Sequence, residues 1–119
     1  MLAVTRYAVA AEDADGFLER ARAALAALAA RPGYRSGSVG RSTDDPARWV
    51  LVTEWDGVGV YRRALSAYDV KVDAVPLLSL AVDEPTAYEV LAVGPQDEEF
   101  GPLATMRAVD ADEAGPGGR

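Results

Sequence analysis

The 119-residue sequence contains no cysteine and no histidine. Without cysteine there is no disulfide, no thiol nucleophile and no thiolate metal ligand. Without histidine, a serine nucleophile lacks its usual base, and the commonest side-chain ligand of transition metals and haem iron is missing. Lysine occurs once, at Lys71, against eleven arginines; with abundant alanine and glycine, that points to a GC-rich genome such as an actinobacterium's. No run approaches the ~20 apolar residues of a membrane span. The first nine residues show no basic start followed by an apolar stretch, as a secretory signal would. The expectation is a cytoplasmic protein with no membrane partner. Net charge is −7, much of it in the last part of the chain. No basic stripe exists for a phosphate backbone to meet, so no nucleic acid is expected as a partner.

What is present has the balance of one globular domain: half the residues are hydrophobic and about a quarter charged. Leu2 to Ala10 reads as a strand carrying bulk on both faces, hence a central one. Glu12 to Arg31 reads as a helix. Phe17, Ala21, Ala24 and Leu28 form its apolar stripe, and Asp13 or Asp15 is available as a cap. Arg31-Pro32-Gly33 ends it. Tyr34–Arg41 and Arg48–Trp55 read as strands joined by a short loop, so they should pair antiparallel. In the second of these, Trp49, Leu51, Thr53 and Trp55 share one face. Asp56 is placed to cap a helix from about Val58 through Ala67. A further helical stretch, 69–80, is kinked or restarted at Pro76. Glu84 to Val93 reads as the fourth strand.

Three segments are expected: a domain over 1–95, an extension over 96–109 with a short edge strand around Phe100 and Leu103–Met106, and a disordered acidic, Gly-Pro tail over 110–119. The order βαββαβ defines an α+β, ferredoxin-like antiparallel sheet with helices on one face. The other sheet face would be bare and partly apolar. A second copy is its simplest cover, so the expected assembly is a two-fold homodimer.

Short motifs then resemble those of a known family. Arg31-Pro32-Gly33-Tyr34 precedes the second strand, Asp45-Pro46 precedes the third, and Glu54-Trp55-Asp56 leads into a helix bearing Tyr61. Over about 2–91 the chain resembles the antibiotic biosynthesis monooxygenase family, which includes dimeric α+β barrels. The resemblance implies a cofactor-independent oxygenase of aromatic, polyketide- or quinol-like molecules, needing neither metal nor haem. Haem-degrading members use a histidine from the second helix, where this chain reads Arg63-Ala64-Leu65. Phenol-oxidising members use a tryptophan ending the third strand and a tyrosine six residues later. Trp55 and Tyr61 match that spacing and are the catalytic candidates. The asparagine those members carry before the tryptophan is not matched, because positions 51 and 52 are Leu and Val. Lys71 is the counterpart offered for their later arginine.

Among the residues themselves, a strand-end indole such as Trp55 is either core or a donor to a substrate oxygen. Tyr61 either satisfies its own hydroxyl or stabilises developing charge. Arg6 either lies in solvent or faces a cavity and holds an anionic substrate. Tyr7, Trp49, Tyr68 and Tyr88 complete the candidate substrate-binding set, with Tyr34 competing. Glu54 is expected to pair with an arginine. The carboxylate pairs Asp13/Asp15 and Asp44/Asp45 read as caps and turns, short of the oxygens a hard cation needs. Two functional readings stand: an oxygenase without cofactor, and a non-catalytic dimer that binds an apolar ligand or a protein partner.

Overall fold

The computed structural model of the chain describes residues 1–95. The expected extension and edge strand within 96–109, and the tail over 110–119, lie outside the described residues.

Strand β1 (Leu2–Ala8) is followed by a 3₁₀ turn (Ala11–Asp13) and helix α1 (Ala14–Ala29). Strands β2 (Tyr34–Arg41) and β3 (Arg48–Trp55) come next. Helices α2 (Val58–Leu65), α3 (Tyr68–Asp73) and α4 (Val75–Leu78) precede a two-residue strand β4 (Ala87–Tyr88). The sheet order is β2-β3-β1-β4, with every pairing antiparallel. This is the ferredoxin-like order, and the four-stranded sheet is not closed. Among the described residues, no helix is long and apolar enough to cross a membrane.

Strand alternation decides which residues enter the core. On β1, Ala3, Thr5 and Tyr7 point to the helices; on β3, Trp49, Leu51, Thr53 and Trp55 do the same, and all seven are buried. From α1, Phe17, Ala21, Ala24, Ala27 and Leu28 pack against them. Burial of an aromatic such as Phe17 is worth roughly 1.5–3 kcal/mol. Val70, Ala74 and Leu77 complete the layer from α3, α4 and the residue between them. On the opposite sheet face Leu2, Val4, Val50 and Val52 are half-buried and Arg6 is exposed.

The turn after α1 depends on Gly33, whose φ of 89° suits only glycine without strain. A Cβ there would also lie 2.4 Å from Val60 Cγ2, so the glycine lets α2 approach the end of α1.

Several local expectations are corrected. Asp56 does not cap α2: Gly57 holds the N-cap position, and Asp56 instead faces Arg35 at 3.8 Å. Asp13 occupies the α1 N-cap position without a side-chain capping bond. The stretch 69–80 is two short helices, with Pro76 in the first turn of α4, where its missing N–H costs nothing. The fourth strand is far shorter than 84–93. Tyr88 pairs with Leu2, at the very start of β1, so residues 89–93 overhang the sheet and have no β1 residue left to bond. Before that point the chain still follows β1, through Val82 N–H to Arg6 O and Val4 N–H to Thr86 O, both 2.7 Å.

Candidate functional site

The layer between sheet and helices is apolar except for a seam of hydroxyl and indole groups. Thr5 and Tyr7 lie two residues apart on β1 and therefore share a face. Their oxygens are 2.9 Å apart. Thr53 and Trp55 repeat the arrangement on β3, where the indole N–H donates to Thr53 Oγ1 at 2.8 Å. Register places Ala3 opposite Thr53 and Thr5 opposite Leu51, so the two threonines sit near each other mid-sheet. Thr5 Oγ1 also reaches the Leu51 carbonyl, at 3.5 Å.

Tyr61 enters from α2. Its ring lies 5.4 Å from that of Trp55, tilted by 57°. Tyr34, the first residue of β2, meets Trp55 edge-on at 5.4 Å. At the far end of the layer, Phe17 is edge-on to both Tyr7 (5.0 Å) and Trp49 (5.2 Å). The Arg41 guanidinium lies 5.4 Å from the centre of the Trp49 ring.

Burial sets the chemistry of the phenols. It raises the ionisation of Tyr61 above the usual tyrosine range, and the neighbouring Tyr7 phenol adds to the effect. Burial raises Tyr7 too, partly offset by its hydrogen bond with Thr5. Tyr34 is raised by burial alone. Phenols of this kind stay protonated at neutral pH, and each can donate to an oxygen that gains negative charge. Thr5 and Tyr7 can exchange donor and acceptor roles, so Tyr7 can offer either a proton or a lone pair.

The structure gathers four of the eight residues singled out from sequence: Tyr7, Trp49, Trp55 and Tyr61 lie in the buried layer. It does not bring the other four there. Arg6 has the opposite strand parity to Tyr7 and projects from the bare face, where its guanidinium makes bidentate bonds to Glu84 at 2.6 and 2.7 Å. Tyr68 is 79% exposed at the start of α3, and Lys71 is exposed on the same short helix. Tyr88 is about half exposed and donates to the Pro85 carbonyl. Glu54 accepts from Ser36 Oγ at 3.4 Å rather than pairing with an arginine. Among the described residues, no three His, Cys, Asp or Glu side chains cluster as a metal site.

Sequence reasoning passed over Thr5 and Thr53. The signal was there: in each strand a threonine interrupts an apolar face two residues before an aromatic that carries an N–H or O–H.

An open antiparallel sheet of order β2-β3-β1-β4, with an aromatic and polar seam under its helices, defines the class: a small α+β protein of ferredoxin-like fold. Comparison with known proteins narrows it. The family model for antibiotic biosynthesis monooxygenase matches residues 1–67, and the chain belongs to that family. Among solved structures, it is similar to a variant of SnoaB, a cofactor-independent oxygenase from Streptomyces nogalater. Identity is 26%, covering 76% of this chain and 94% of that one, with a TM-score of 0.60. A conserved protein from Methanosarcina mazei shares the fold at 20% identity, covering 72% of this chain and 84% of its own, TM-score 0.60. An antibiotic biosynthesis monooxygenase family protein from Nitrosomonas europaea shares it at 18% identity, covering 76% and 98%, TM-score 0.60. No curated protein matches the sequence.

Proposed function

We propose that the protein is a cofactor-independent monooxygenase that oxidises an electron-rich aromatic molecule of polyketide or quinol type. The observation that carries this reading is the buried pair of Trp55 and Tyr61, ring centres 5.4 Å apart, with the Tyr61 phenol held protonated by its surroundings. Family membership and the likeness to SnoaB support it.

In this reading the substrate supplies the electrons. An activated methylene between two rings loses a proton, and its carbanion transfers electrons to oxygen. One oxygen atom ends as the new carbonyl and the other leaves as water with the two hydrogens of the methylene. The books balance without an external reductant. The protein excludes water, orients the ring and stabilises the enolate oxygen. Tyr61 is the donor to that oxygen, and Tyr7 is a second phenol nearby. Trp55 contributes an aromatic wall and, through its bond to Thr53, a fixed orientation. Trp49 closes the other end.

The assembly proposed is a homodimer through the bare sheet face, where Leu2, Val4, Val50 and Val52 would be covered by the same residues of a second copy.

A second reading has one observation in its favour. The Trp55 indole proton is already engaged by Thr53, as in a purely structural core. A non-catalytic dimer binding an apolar ligand would need no more.

Oxygen uptake separates the two. A hydroxylated anthrone or a hydroquinone should be oxidised, and Tyr61→Phe should lower kcat by about a hundredfold, the usual cost of one oxyanion donor. Thermal stabilisation by the ligand with no oxygen consumed would establish the binding reading instead.

A further inference from the structure

A groove of about 490 Å³ lies between the start of α2 and the β4 edge of the sheet. Val58, Tyr88 and Val90 are its apolar walls, and all three are exposed. Arg62 lines it as well, and Arg63 follows on the same helix; both are exposed. The Arg63 guanidinium lies back over the first turn of α2, 3.7 Å from where a Cβ on Gly59 would sit. Among the described residues no carboxylate forms an ion pair with either arginine. Glu89 is the acid in the lining. Neither Trp55 nor Tyr61 is part of this wall, so the groove stands apart from the buried seam and from the function proposed for it.

Single exposed apolar side chains are ordinary, whereas three on one concave surface beside two cations mark a place where something docks. The chain itself carries a segment of matching chemistry. Past Pro95, the last described residue, the sequence runs Gln96, Asp97, Glu98, Glu99, Phe100. Three consecutive acids are followed at once by an aromatic.

We infer that this groove is the docking site of the chain's own segment 97–100, with Phe100 against Val58, Tyr88 and Val90 and the three acids facing Arg62 and Arg63. Reach permits it. Ten residues separate Val90, a wall of the groove, from Phe100, and Gly94-Pro95, a turn-forming pair, lies midway. A reversal there brings Phe100 back beside Val90 without stretching the chain, since each residue can span up to about 3.3–3.6 Å. Charge favours it too: three carboxylates meet two guanidinium groups, which outweigh the single carboxylate of Glu89. A tethered segment also docks at a high local concentration, so individually weak contacts suffice.

The chain has no cysteine of its own, so an introduced pair reports only the positions given to it. Val58→Cys with Gly101→Cys puts one thiol on the groove wall and one beside Phe100, which is kept. Thr43→Cys with Gly101→Cys is the reference pair. Thr43 lies in the loop between β2 and β3, at the end of the sheet away from Leu2 and Glu54. Disulfide formation in the full-length chain under mild oxidation is followed by non-reducing gels and peptide mass spectrometry. The Val58 pair should close within one chain roughly tenfold faster than the reference pair, or more. Arg62→Glu with Arg63→Glu should slow it severalfold, and adding Asp97→Arg, Glu98→Arg and Glu99→Arg should restore the rate. Without any cysteine, Phe100→Asp should speed amide exchange in α2 while β1 and β3, as markers of the intact fold, exchange as before. The inference is overturned if the Val58 pair closes no faster than the reference, or if α2 exchange ignores Phe100→Asp. It is equally overturned by a rate indifferent to the charge reversals, or by a disulfide that joins two chains, which would give the groove to a second copy.

Discussion

Trp55 donates its indole proton to Thr53 Oγ1, 2.8 Å away on the same strand and the same face. An indole N–H buried without a partner would cost about 1–3 kcal/mol. The threonine thus lets a large aromatic lie 1% exposed beneath the helices while its polar atom stays satisfied. Tyr7 has the same arrangement with Thr5 on the neighbouring strand.

Thr53→Val keeps the shape of the side chain and removes the acceptor. Stability should fall by about 1–3 kcal/mol, measured as a lower urea midpoint with an unchanged slope. In Thr53→Val combined with Trp55→Phe, the loss should be less than the sum of the two, because the second change removes the orphaned donor. Strict additivity would show that the bond contributes nothing to stability.

Alkaline pH should weaken the fold. Tyr7, Tyr34 and Tyr61 have raised ionisation in the folded protein, against about 10 when unfolded. Above that value the unfolded chain has released protons that the folded chain still holds. Stability is therefore full below about pH 10 and declines as pH rises through the folded values. Tyr61→Phe should remove part of the late rise in tyrosinate absorbance and flatten the alkaline loss of stability. An alkaline slope unaltered by the substitution would refute the assignment.

Arg6 and Glu84 fasten the chain after α4 along β1. Their ion pair holds Glu84 below the usual carboxylate range, chiefly through the hydrogen bonds from Arg6. A lowered carboxylate favours the folded state above its unfolded value, and the benefit is lost as pH falls. Glu84→Gln should speed amide exchange at Val82 and Val4, whose N–H groups bond across this junction. In the unsubstituted protein the same amides should become less protected in mild acid. Exchange elsewhere in β1 and β3 should change little, because those ladders do not depend on the ion pair.

Much of the architecture was legible in the sequence because it is written in short periods. The two-residue alternation of β3 put Trp49, Leu51, Thr53 and Trp55 on one face, and the stripe of α1 put Phe17, Ala21, Ala24 and Leu28 against it. Tyr7, Trp49 and Trp55 share that buried face, whereas Tyr61 reaches the layer from α2. The same parity separates Arg6 from Tyr7, with which the sequence reading grouped it, since a residue between Thr5 and Tyr7 must face away from both. The length of the fourth strand was not legible, because it depends on where β1 begins rather than on the β propensity of residues 89–93.

The sequence alone determined the order of elements, which residues share a face on β1, β3 and α1, and the exclusion of thiol and histidine chemistry. Those are properties of local pattern and composition. Only the tertiary structure decided what the polar atoms meet: Tyr61 beside Trp55, the Thr5–Tyr7 pair within reach of Leu51 O, and Arg6 bound to Glu84, 78 residues away. No local period encodes such contacts. They arise when separate segments are packed together.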